Sequence, residues 1–107
     1  MSLGENISSE SYYVDKIYQS MSVDIGTLAK TTSGDIEEIE IIFVEKSLDP
    51  GTYSITITRE GDDFYRIDGT DIYIKTRYCY EYCYSQDGIL KISSYKGHNF
   101  GELIILE

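Results

Sequence analysis

The chain has 107 residues, 41% of them hydrophobic. That is the size of one globular domain, which buries about two-thirds of its unfolded surface in a single core. Its formal charge is −10, with ten acids and three bases in the first fifty residues and no basic stripe anywhere. Phosphate neutralisation needs clustered Lys and Arg, so the balance argues against nucleic acid and anionic membranes and suits cations or basic proteins as partners.

Eleven Tyr, three Phe, abundant Ile and Thr and a single Pro favour strands over helices. One β domain over residues 1–107 is expected. The opening "MSLGENISSE" lacks the apolar run of a secretory signal, and "MSL" reads as a cloning leader. Residues 1–8 are therefore expected to stand outside the fold, and a native signal could have been trimmed. No stretch reaches the ~20 apolar residues of a membrane-spanning helix. Two cysteines do not make a disulfide scaffold. Together these point to a reduced, cytoplasmic compartment.

In chain order, "SSESYYVDKIYQS" (8–20) admits a short helix or a strand. Ser8 or Ser9 would cap the helix, and Tyr13, Ile17 and Met21 recur at spacing four. Residues 18–30 alternate loosely, as in a strand. "IEEIEIIFVEK" (36–46) is predicted as a strand with Ile39, Ile41 and Phe43 on one side. From residue 50 onward the pattern is clearer. Tyr53, Ile55 and Ile57 alternate with Thr and Ser, which marks a half-buried strand. "EGDD" turns, "FYRI" is short, and Asp68-Gly69 signals a hairpin. A fourteen-residue strand is then expected from Asp71 to Tyr84, followed by an Asp87-Gly88 turn, "ILKISSY", a "KGHNFG" turn and "ELIILE". The expected fold is all-β, with six or seven mostly antiparallel strands, a C-terminal meander, and closure as a small barrel or sandwich. Fourteen residues span about 46 Å, too long for a flat strand in so small a domain. A bend or bulge is expected near 77–81.

Several residues invite chemistry. A meander would gather Asp49, Asp68, Asp71 and His98 at one end, a set of ligands that suits a divalent cation. Asp, Asn and Gly are also what turns are made of, and no calcium-loop spacing is present. Cys79, Glu81 and His98 suggest a nucleophile and base, with Arg77 beside Cys79 to favour the thiolate. No glycine elbow or helix N-terminus accompanies them. On a strand, Cys79 and Cys83 lie about 13 Å apart, beyond disulfide reach. No cofactor is implied.

The segment "RYCYEYCYS" (77–85) poses a parity question. A regular strand would put Tyr78, Tyr80, Tyr82 and Tyr84 in line with Ile72, Ile74 and Thr76, facing the core. A bulge would turn Cys79 and Cys83 inward and the tyrosines outward. The second arrangement is favoured, because small thiols are more often buried than four tyrosines. Exposed, the row Arg77, Tyr78, Tyr80, Tyr82, Tyr84 would be a contact surface for a sugar, a peptide or a second subunit.

Residues 71–92 also carry Ile74, Thr76, Cys79 and Glu81 in an Ile-x-Thr-x-x-Cys-x-Glu order ahead of an Ile/Leu-rich strand. This resembles a pattern in small uncharacterised bacterial all-β proteins. The match spans about a fifth of the chain and implies no activity, so it assigns no functional residue. The function expected is a non-enzymatic binding or assembly module using the tyrosine-rich strand, with self-association through it as one use. The alternative is a small Cys- or metal-dependent enzyme.

Overall fold

A computed structural model describes residues 9–106. The expected leader over 1–8 lies outside the described residues. Among the described residues nine strands follow one another: β1 (Ser9–Ser22), β2 (Leu28–Lys30), β3 (Ile36–Glu38), β4 (Ile41–Glu45), β5 (Gly51–Gly61), β6 (Phe64–Ile67), β7 (Ile72–Thr76), β8 (Gln86–Tyr95) and β9 (His98–Leu106). The main sheet has the order β4-β1-β7-β6-β5-β8-β9, and β1 also pairs with β9. That pairing closes β1, β7, β6, β5, β8 and β9 into an antiparallel barrel of six strands. β4 is an extra strand on β1, and β2 and β3 form a separate small hairpin.

The inward positions are those that alternation selects. Ile57, Ile74, Leu90, Ile92, Leu103 and Ile105 fill the interior with Tyr65, and Tyr53, Ile55 and Ile72 pack against them. Gly101 faces Val14 across the β1–β9 seam, where an added Cβ would lie 2.8 Å from the valine Cβ. Only a residue without a side chain lets the two strands approach so closely.

Three expectations are settled or changed. Of the helix and the strand left open for 8–20, the strand is adopted over residues 9–20. Between Val14 and Lys16 the β1–β7 register shifts, so Asp15 is bulged out. Val14 and Ile17, three residues apart, both face the core as a result. The bulge thus writes a helix-like spacing into a strand. The second change is that β1 is the fourteen-residue strand, while β7 stops at Thr76. β1 serves as barrel wall along its first part and then runs on beyond the barrel beside β4. Third, the meander holds for β5-β6-β7 and for β8-β9 but breaks between β7 and β8. Chain 77–85 crosses an end of the barrel, so β8 lands beside β5. The order β8-β5-β6-β7 is a Greek key. The 36–46 segment likewise divides into β3 and β4.

The radius of gyration is 16.3 Å, with extents of 59 × 34 × 26 Å. A compact chain of this length has a radius near ~13 Å. The excess comes from the arm formed by the end of β1, the β2–β3 hairpin and β4, which projects from the end opposite the 77–85 crossing.

Candidate functional site: a tyrosine strap across the barrel end

Residues 77–85 form an extended strap rather than a strand. Two non-glycine residues with left-handed backbone bracket it, Tyr78 at φ 56° and Ser85 at φ 49°. Such a conformation costs a side-chain-bearing residue roughly 1–2 kcal/mol. Tyr78 is where the ladder to β6 and β1 ends and the inward parity switches.

Main-chain bonds tie the strap to the barrel along its length. Arg77 N–H donates to Tyr13 O (3.1 Å), and Arg59 N–H donates to Cys83 O (2.9 Å). Cys79 N–H donates to Asp63 Oδ1 (2.7 Å), which also accepts from the Thr76 hydroxyl (3.0 Å). Ser85 N–H donates to Thr58 Oγ1 (3.0 Å). Beneath the strap, the Tyr65 hydroxyl donates to Glu81 O (2.6 Å) and lies 3.1 Å from Cys79 Sγ. Asp63 occupies the β5–β6 turn in the left-handed region (φ 56°), which aspartate tolerates better than most residues. An ordinary tight turn thereby places a carboxylate against the strap.

Cys79 and Cys83 face the core, 0% and 3% exposed, while Tyr78, Tyr80, Tyr82 and Tyr84 are 76–83% exposed. The second of the two parities is the one adopted. The thiols plug the barrel end with Ile57 and Tyr65 around them, and both are free. Burial, aided by the charges of Cys79 and Glu81, pushes the Cys83 thiol up to about 11. Burial, then the bond to Cys79, raises the Tyr65 phenol. Burial also raises Tyr12, whose hydroxyl donates to Glu81 Oε2 at 2.8 Å. Cys83 therefore remains a thiol at neutral pH, the form without nucleophilic strength.

The other sequence candidates are dispersed. His98 sits at the β8–β9 hairpin tip, paired with Tyr95. β9 carries the chain from His98 about 26 Å toward the strap end, so Cys79 and Glu81 lie at the far end from it. Asp68 and Asp71 flank the β6–β7 turn. The Asp68 carboxyl is held below the usual range by the Thr58 hydroxyl, with Ser85 and Arg66 adding to it. Asp71 accepts from Gln19 Nε2 at 2.9 Å, and the Asp49 carbonyl accepts from the Tyr53 hydroxyl. Among the described residues no three His, Cys, Asp or Glu side chains converge as a metal site. Arg77, expected in the contact row, bonds Asp15 at 2.8 Å and lies 5.0 Å over the Tyr13 ring.

Sequence reasoning missed Asp63, Tyr65 and Tyr12, which hold the strap in place. They carry no motif, and only the crossing brings them under residues 79–81. It also missed an aromatic patch on the outer barrel wall. Phe43 meets Tyr73 and Phe64 at ring-centroid distances of 4.9 and 5.2 Å, and Tyr18 lies 6.1 Å from Phe64. A cleft of about 240 Å³ opens where β9 leaves β1 and β4 joins it, between Val14, Ile17, Leu48, Ile92 and Phe100.

No family model matches this chain, and no curated protein or solved structure matches it either.

Proposed function

We propose that this protein is a non-enzymatic binding module whose contact surface is the tyrosine strap. The observation that supports it is the exposure of four tyrosines on a backbone fastened from beneath. Large aromatic side chains held on a rigid platform contribute contact area with little loss of conformational freedom on binding. The core needs only Cys79 and Cys83 from this segment, so folding does not account for the tyrosines.

Charge favours a basic polypeptide as the partner. Both arginines near the strap are already paired, Arg59 with Asp62 (2.7 Å) and Arg77 with Asp15 (2.8 Å). Glu10, opposite Ile105, remains exposed at that end, and the tyrosine faces attract Lys and Arg through their quadrupoles. The test is surface plasmon resonance against immobilised Lys/Arg-rich peptides, with neutral glycans and acidic peptides alongside. Binding to the basic peptides is expected, weakening with salt and lost in the Tyr80→Ala/Tyr82→Ala variant while its melting temperature holds. Binding that ignores the tyrosines, or that selects the glycans, would refute this partner.

A further inference from the structure

A second surface is independent of the strap. β4 has one neighbour, β1, and its other edge is open among the described residues. Its sequence is Ile-Ile-Phe-Val-Glu, and Ile41, Ile42, Phe43 and Val44 are 37–49% exposed. Met21, Ile25, Leu28 and Ile36 are exposed on the same projecting arm. Edge strands of soluble proteins are ordinarily blunted by Lys, Pro or a bulge, and residues 41–44 carry none of these.

The hydrogen bonds to β1 reveal which main-chain groups remain free. Val23 N–H donates to Glu40 O (3.0 Å), and Lys46 N–H donates to Ile17 O (2.9 Å). Antiparallel strands alternate, so Glu40, Ile42, Val44 and Lys46 point toward β1, and Ile41, Phe43 and Glu45 point outward. The open edge is thus centred on Phe43.

Two such edges pair antiparallel about a two-fold axis through Phe43, and the side chains match. Phe43 faces its own copy as a hydrogen-bonded pair, flanked by Ile41 opposite Glu45. Ile42 falls opposite Val44, in the non-hydrogen-bonded position where side chains lie closest. One step further out, Glu40 meets Lys46. Neither side chain is in an ion pair within the chain among the described residues. The stretch "EIIFVEK" (40–46) is self-complementary in this register and in no neighbouring one: a slip by two residues separates Glu40 from Lys46.

We propose that the β4 edge is a homodimerisation surface, where a second copy of this chain adds its own β4 antiparallel across Phe43. About six main-chain hydrogen bonds and two Glu40–Lys46 pairs form, and the two sheets become continuous. Each chain carries −10, so the copies repel at long range and added salt favours the dimer.

The experiment is sedimentation velocity of the full chain from about 5 to 500 μM at low and high NaCl, with melting curves as folding controls. A monomer–dimer equilibrium that tightens with salt is expected. Ile41→Pro removes an outward N–H without touching a bond to β1, and should weaken the dimer at least tenfold. Lys46→Glu and Glu40→Lys each place like charges opposite one another and should weaken their own homodimers, whereas an equimolar mixture of the two should recover the dimer as a heterodimer. A monomer under all conditions, including one whose edge takes up an added extended peptide instead, overturns the proposal. So does a dimer indifferent to all three substitutions, or a mixture no stronger than its components. The charge exchange decides the matter even if Ile41→Pro fails to fold.

Discussion

Tyr65→Phe tests whether the strap is fastened from within. The tyrosine is fully buried, and its hydroxyl gives a 2.6 Å bond to Glu81 O beside Cys79 Sγ. Phenylalanine keeps the ring and its packing and removes only that donor. Removing one partner of a buried hydrogen bond costs about 1–3 kcal/mol, because the other is left without its bond. Glu81 is only half-buried, so water can partly satisfy its carbonyl and the cost stays below the top of that range. The middle of the range is about 2 kcal/mol. For a domain near 100 residues this lowers the melting temperature by roughly 8–12 °C. The same 2 kcal/mol shifts the opening equilibrium that exposes Cys79 and Cys83 by roughly 30-fold, at 1.4 kcal/mol per tenfold. The assays are thermal melting by circular dichroism and the rate of thiol labelling by a disulfide reagent at neutral pH. Tyr82→Phe, which loses an exposed hydroxyl, is the control and should change neither. If Tyr65→Phe melts within 1–2 °C of the parent and labels at the parent's rate, the strap is not held by this bond and the reasoning fails.

Gly101→Ala should destabilise the barrel by about 1–3 kcal/mol, because the new Cβ meets the Val14 side chain at 2.8–3.4 Å across the closing seam. Equilibrium urea unfolding measures it, and an unchanged midpoint would show that β1 and β9 can move apart at no cost. Stability should also fall as pH rises above 9. Unfolded, the Cys83 thiol ionises near 9.0 and the phenols of Tyr12 and Tyr65 near 10.0. Folded, Cys83 keeps its proton to about 11 and both phenols keep theirs above their ordinary value. Between those limits the unfolded chain binds fewer protons, so each unit of pH favours unfolding. Denaturant midpoints at pH 7, 9 and 10.5 should decline in that order. A flat profile would mean that the three groups are not buried as described.

The sequence alone determined the strand class and most of the core. Alternation in residues 53–57, 72–76, 89–92 and 103–105 selects the side chains that line the barrel, because a strand's two faces meet different surroundings whatever strand lies beside it. It also made the parity of Cys79 and Cys83 legible, since burying four tyrosine hydroxyls without partners costs more than burying two thiols.

What tertiary structure decided was neighbours and direction. A left-handed Tyr78 turns the expected long strand into a strap and sends β8 beside β5. The bulge at Asp15 makes β1 the long strand in place of 71–84. Neither is a local preference. A bulky residue enters the left-handed region only when several bonds, here from Asp63, Tyr65, Arg59 and Thr58, together outweigh its cost. Those partners lie 16–27 residues away in the chain. A two-residue repeat tells a strand which face to bury, but it says nothing of which strand will lie beside it.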